Sequence, residues 1–169
     1  FRSAFYFLPK DLLHKDAYYS FQQKRIRKLF SYLHEEKCEI GLHGTVRSSK
    51  SSEFLLRDIE MLKKYSPQKV LGIRQHRLLY DIHTTSSFHE GGGLLYDTTL
   101  GFAEQEGFRN SYCLPFRVFD HKNDKMLELW ELPLNVMDVT LFHYQEYTRE
   151  QAKDSILTLM REIKNFKGV

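Results

Sequence analysis

Four polar residues lie at the ends of short apolar segments: His43, Arg74, His76 and Asp97. In parallel sheets and barrels the carboxyl ends of the strands meet at one edge, where ligands bind. The sequence therefore predicts that these side chains share a cleft. Imidazole nitrogens bind divalent metal ions and also exchange protons near neutral pH, so the two histidines are candidates for metal binding or acid catalysis. An ordinary polar role remains the alternative for each histidine.

Other polar residues have two interpretations each. Asp97 either contacts a ligand hydroxyl or a histidine in the cleft, or caps the turn after its strand. Arg109 either meets an anionic group of a substrate or forms a structural ion pair. Asp138 lies in the apolar segment 135–141, which we predict to be a strand. A buried carboxylate there is costly without a partner, so we expect Asp138 in the cleft or paired with an arginine.

The elements that position these residues follow from hydrophobic periodicity. Apolar residues at helical spacing predict helices over 22–35 and 52–65, and a short helix over 85–90 should end at three glycines. Short apolar strands alternate with these helices, which favours right-handed βαβ units and a parallel sheet or barrel. Residues 116–133 predict a β-hairpin, and Thr148 to Gln151 match a capping box before a last helix.

Composition narrows the class of protein. The 169 residues and a net charge of +3 suit a single globular domain over residues 1–169, and no run of about 20 apolar residues predicts a membrane span. Cys38 and Cys113 stand far apart, so no CxxC motif is present, and free thiols favour the cytoplasm while leaving the compartment open. The basic stretch 24–28 lacks interleaved aromatic residues, so we expect no nucleic-acid partner.

Several segments resemble the polysaccharide deacetylases, a family of metal-dependent carbohydrate esterases, in a divergent bacterial branch. The strongest likeness is Glu39-Ile40-Gly41-Leu42-His43, which is similar to a strand that ends in a metal-binding histidine. The resemblance covers about residues 3–141. The other similar segments are 72–76, 96–102, 107–109 and 133–138.

The resemblance implies a distorted, incomplete (β/α) barrel with mostly parallel strands. It also implies a strand with two aspartates before Ser3, so we expect the chain to be a fragment that is inactive alone. His43 would be a metal ligand, and Arg74 would orient a catalytic aspartate. The family has a second histidine four residues after the first, where this chain has Arg47. His76 would then supply the missing imidazole, as a ligand or as the catalytic acid.

Two functions are compatible with these residues. The first is a metal-dependent hydrolase that removes an acyl group from an amino sugar or polysaccharide, with zinc as the expected ion and cobalt or nickel as alternatives. In that case Arg74, His76 and Asp97 would act in catalysis, and Arg109 and Asp138 would bind the carbohydrate. The alternative is a deacetylase-like domain without catalysis that binds carbohydrate in envelope polysaccharide biosynthesis.

Overall fold

The computed structural model describes residues 3–11 and 17–169. Its strands are β1 (Ala4–Phe7), β2 (Glu39–Gly44), β3 (Gly72–Gln75), β4 (Tyr96–Asp97), β5 (Phe116–Asp120) and β6 (Lys125–Glu131). Its α-helices are α1 (Lys24–Glu35), α2 (Ser52–Lys63), α3 (Thr85–Gly91) and α4 (Arg149–Asn165). A 3-10 turn follows β3 at His76–Leu78, and a π-helix spans Thr140–Tyr144.

The strands form one six-stranded sheet in the order β1-β2-β3-β4-β6-β5. The pairings from β1 to β6 along this order are parallel, and β5 pairs with β6 in antiparallel fashion. The prediction of a mixed α/β fold with mostly parallel strands is confirmed. Because β1 to β4 lie side by side in chain order and such crossovers are right-handed, α1 to α3 fall on one face of the sheet, as in a barrel.

Strand alternation gives the sheet two different faces. The face that packs on the helices carries the core, with Ile40, Leu42 and Ile73 fully buried against Leu55 and Leu62 of α2. We call the other side the second face. The strand register brings residues of neighbouring strands side by side on this second face. Tyr6 lies beside Gly41, His43 lies beside Arg74, and Gly72 lies beside Tyr96, which is followed by Trp130.

Two tyrosine rings on the second face lie directly over glycines. The Tyr6 ring covers Gly41 and the Tyr96 ring covers Gly72, so that a β-carbon at either glycine would overlap the ring. The hydroxyl groups of Tyr6 and Tyr96 are 3.1 Å apart, and Tyr96 donates to Oε1 of Glu39 at 2.7 Å. These glycines therefore allow a tyrosine pair to brace the four neighbouring strands β1 to β4.

The variant Gly72→Ala should be less stable than the wild type by about 1–3 kcal/mol, because its β-carbon displaces the Tyr96 ring and the hydrogen bonds that it makes. Urea unfolding measures this loss. Gly91→Ala is the matched control, since nothing lies within 4 Å of a β-carbon at that position. Equal stability of the two variants would contradict the bracing role of the tyrosine pair.

The strand predicted over 135–141 is wrong. Residues 132–137 have no regular structure, and a helical segment begins at Asp138 and continues as the π-helix. Short apolar runs such as this one fit a strand and a buried helix equally well, so periodicity alone could not decide. Asp138 is exposed and its Oδ1 accepts the backbone N–H of Val139, so the argument for a buried charge no longer holds. The capping box of Thr148 and Gln151 is present as predicted.

Candidate metal-binding site

His43 and His76 lie together at the carboxyl ends of two neighbouring strands. His43 is the penultimate residue of β2, and His76 directly follows β3. Nε2 of His43 is 3.1 Å from Nδ1 of His76, and the two rings meet edge to face. The sequence predicted this proximity, because each histidine lies at the end of a short strand.

The backbone after His76 turns sharply. Arg77 and Leu78 have φ values of 58° and 52°, in the left-handed region that residues other than glycine rarely adopt. Two consecutive residues of this kind cost of the order of 1–3 kcal/mol each, and such strain concentrates at functional sites. Contacts with the rest of the fold must therefore maintain this turn at the carboxyl end of β3.

His43 is neutral in this environment. Burial is the main cause that lowers its pKa, with further contributions from His76 and the charge of Arg74, and the pKa falls to about 4. A metal ion binds the neutral form of imidazole. His43 therefore has the protonation state that metal binding requires at neutral pH.

The two nitrogens share a hydrogen bond in the structure, and their separation can be compared with that of two ligands of one zinc ion. Nitrogens that each lie about 2.0–2.1 Å from a shared zinc ion stand roughly 3.3 Å apart in a tetrahedral site, close to the 3.1 Å observed. Structural zinc takes four protein ligands and catalytic zinc takes three. Within residues 3–11 and 17–169, no group of three or more His, Cys, Asp or Glu side chains is placed to hold a metal. The described residues therefore place two imidazoles together without a third candidate ligand beside them.

Arg74 is fixed beside His43. Its Nε donates to the carbonyl of Thr98 at 3.1 Å, and its Nη2 donates to the Thr98 hydroxyl at 2.8 Å. The guanidinium lies 5.0 Å from the centre of the Tyr6 ring. The predicted role for Arg74, orienting a carboxylate, stays a prediction.

Arg47 does not take the place of a ligand. Its guanidinium lies 3.5 Å from the centre of the Phe54 ring, and its Nη1 is 3.6 Å from Oδ1 of Asp11. Asp11 is buried and follows β1 in the chain. Arg47 therefore forms an ion pair between the segments that follow β1 and β2.

Asp97 lies on the opposite face of the sheet from His43 and Arg74. Its register partner on β3 is Ile73, so its side chain points into the helix layer, where it is fully buried. Oδ2 of Asp97 is 3.1 Å from Nδ1 of His89, and the Thr99 hydroxyl donates to Oδ1. The expectation that Asp97 shares the cleft with the two histidines is not met, because strand alternation turns it to the other side.

A buried polar network surrounds Asp97, and the sequence analysis missed it. Nε2 of His89 is 3.0 Å from Nε2 of Gln75, and Oε1 of Gln75 accepts from the Ser48 hydroxyl at 3.3 Å. The backbone N–H of Gln75 donates to the Thr99 hydroxyl. The network holds the residue before His76 in place. The sequence contained one signal of this network. Gln75 directly follows Arg74 in β3, so strand alternation turns its side chain to the opposite face of the sheet, toward the helices.

Glu131 is a second buried carboxyl beside Asp97. The two residues are register partners on β6 and β4, and both are fully buried. Oε1 of Glu131 accepts the backbone N–H of Leu100 at 2.9 Å, whereas Oε2 has no hydrogen-bond partner in the described part of the chain. Burial and the neighbouring Asp97 raise the pKa of Glu131 to about 9. Glu131 is therefore protonated at neutral pH.

The two residues predicted to bind substrate lie outside the histidine pair. Arg109 is exposed and donates to the carbonyl of Gly101 at 3.2 Å. Asp138 is exposed and bonds only to its neighbour's backbone among the contacts described. The structure thus brings together His43, His76 and Arg74, and separates Asp97 from them by the thickness of the sheet.

Comparisons with known proteins give little further information. No family model matches the chain, and no curated protein matches it significantly. Among solved structures, a "putative polysaccharide deacetylase" from Mycobacterium smegmatis matches with 22% identity and a TM-score of 0.47. The match covers 66% of this chain and 36% of that chain, so this chain spans about a third of that protein's length. In the described ranges, no helix is long and apolar enough to cross a membrane.

Proposed function

We propose that this domain contributes two ligands to a metal-dependent hydrolase that removes an acyl group from an amino sugar or polysaccharide. The observation that carries the proposal is the His43–His76 pair, with its nitrogens 3.1 Å apart at the carboxyl edge of a mostly parallel sheet. The resemblance of residues 39–43 to a metal-binding strand of the polysaccharide deacetylases points to the same chemistry.

The roles of the residues follow from their positions. A divalent ion, with zinc as the expected one and cobalt or nickel as alternatives, would act as a Lewis acid on the acyl carbonyl. His43, neutral at working pH, would hold the ion through Nε2. His76 would hold it through Nδ1. If His76 instead donates a proton to the departing amine, the alternative role of an imidazole, His43 remains the one ligand of the pair. Arg74 would orient the carboxylate that serves as general base.

The two imidazole ligands also limit the affinity of the site for a divalent metal ion. Two neutral imidazoles bring no negative charge to a divalent cation, and a catalytic zinc site uses a third protein ligand that the described residues do not supply. We therefore expect this chain by itself to bind divalent metal weakly and to show no hydrolytic activity. Its contribution would become catalytic only when a carboxylate ligand and a general base are added.

A calorimetric titration with Zn²⁺, Co²⁺ and Ni²⁺ tests the proposal. The wild-type chain should bind one ion with a dissociation constant above about 1 μM, weaker than a complete structural site by several kcal/mol. His43→Ala should abolish this binding. His34→Ala is the matched control, because His34 is exposed on α1 and should leave the binding unchanged.

Two results would contradict the proposal. Binding that persists in His43→Ala would place the metal elsewhere. Tight binding that His43→Ala abolishes would show that the chain holds a complete site, and the expected missing ligand would be wrong. A wild-type chain that binds no ion but binds oligosaccharides would favour the alternative, a carbohydrate-binding domain without catalysis.

A further inference from the structure

A cavity of about 540 Å³ lies beside the edge strand β5. Its walls include Tyr80, Arg109, Phe116 and Phe119, from three separate segments of the chain. The volume falls within the range of about 300–1,000 Å³ that small-molecule sites occupy. The described residues that line it include no Asp or Glu. The cavity therefore combines aromatic walls with net positive charge.

Arg109 carries the uncompensated charge of this cavity. Its one hydrogen bond in the described structure goes to the carbonyl of Gly101, and none of the ion pairs found among the described residues involves its guanidinium. Glu131 acts on Arg109 electrostatically, but its burial keeps it protonated and therefore neutral at working pH. The remaining donors of the guanidinium fork are free to bind an anion in a bidentate manner.

The other cation of the cavity is already neutralised. Nη1 of Arg117 is 2.8 Å from Oε2 of Glu128, and the guanidinium also lies 4.5 Å from the centre of the Trp130 ring. Arg117 therefore forms part of the cavity wall but adds little net charge to the cavity. This difference makes Arg109 the residue on which recognition of an anion depends.

The aromatic walls favour a ring with an apolar face. Phe119 is 37% exposed, and Phe116 packs edge to face against the Tyr112 ring. Sites of this type bind through apolar contact and use a few polar groups to orient the ligand. A pyranose ring with a carboxylate offers both features, since its C–H face suits the exposed ring of Phe119 and its carboxylate suits the guanidinium.

A neighbouring cavity extends from Arg109 to the turn that follows His76. It has a volume of about 490 Å³, shares Arg109, and is lined also by Arg77 and Leu78, the two residues that follow His76. A polysaccharide held at Arg109 can thus continue along this second cavity to the turn beside His76. The two cavities form a track from β5 toward the histidine pair.

We propose that the cavity beside β5 binds an acidic sugar unit, a uronic acid residue of a polysaccharide, through Arg109. The part of the inference that makes this polysaccharide the substrate rests on the proposed function. The binding itself does not, because it needs neither a metal ion nor the two histidines. The domain would then select an anionic polysaccharide and hold it at a position separate from the reacting acyl group.

Nuclear magnetic resonance of the ¹⁵N-labelled chain, in the absence of metal, tests the site. The probe is a tetrasaccharide of alternating glucuronic acid and N-acetylglucosamine, and the neutral comparison is a tetramer of N-acetylglucosamine. The acidic probe should shift the amide signals of Arg109, Phe116 and Phe119, and should bind at least about tenfold more tightly than the neutral one. Its affinity should fall as salt is added.

Three variants make the result specific. Arg109→Gln should weaken binding of the acidic probe about tenfold or more, and Phe119→Ala should weaken both probes. Arg27→Gln removes an exposed arginine of α1 and should change neither. Equal binding of the two probes, no binding of the acidic probe, or unchanged binding in Arg109→Gln would each overturn the inference. A failed metal titration would leave this result standing, so the two proposals fail separately.

Discussion

Replacing Asp97 by alanine should destabilise the protein by about 3 kcal/mol or more. The substitution leaves Nδ1 of His89 and the hydroxyl of Thr99 without their buried acceptor. Each buried polar group without a partner costs about 1–3 kcal/mol, and a cavity remains where the carboxylate was. Urea unfolding followed by circular dichroism measures the loss.

Asp138→Ala is the matched control for this substitution, because it removes the same side chain from an exposed position. We expect it to change stability by less than about 0.5 kcal/mol. The pair separates a structural carboxylate from a surface one. A loss below about 1 kcal/mol in Asp97→Ala would contradict the buried network described here.

The stability of the wild-type protein should fall as the pH rises from 7 to 9, and Glu131→Gln should remove most of this fall. The pKa of Glu131 is raised to about 9 by burial and by Asp97, from 4.5 in an unfolded chain. The folded state therefore binds one more proton than the unfolded state between these values. Stability from such a group is complete below pH 4.5 and is lost as the pH rises.

The expected size follows from the proton difference. One proton corresponds to about 1.4 kcal/mol per pH unit, so the difference between wild type and Glu131→Gln should change by about 2–3 kcal/mol from pH 7 to 9. His43 does not interfere, because its pKa is lowered and its effect on stability lies between about pH 4 and 6.5. A difference that does not vary with pH would show that Glu131 is ionised in the folded protein.

The sequence predicted the residues that depend on strand ends. His43 and His76 follow two short apolar strands joined by one helix, and parallel strands bring such residues together. The same rule placed Asp97 at a third strand end, which is correct, but it did not say which face Asp97 occupies. The register with Ile73 decides that face, and register depends on the pairing of strands that are distant in sequence.

Other features depended on contacts that a sequence does not show. Gln75, His89 and Asp97 come from a strand, a helix and another strand, and only their packing makes them a network. Asp138 was assigned to a strand because the four apolar residues among the seven of 135–141 show no clear period. The raised pKa of Glu131 follows from its burial next to Asp97, which the alternating pattern of β6 indicates only once the core face is known.

The nitrogen chemical shifts of the imidazole rings test the central claim most directly, namely that His43 and His76 bind one divalent ion together. In a long-range ¹H–¹⁵N experiment, adding Zn²⁺ should shift Nε2 of His43 and Nδ1 of His76 at the same ion concentrations. The exposed rings of His34, His83, His121 and His143 should stay unchanged at those concentrations. Shifts of only one of the two rings, or of the exposed histidines first, would contradict the shared site.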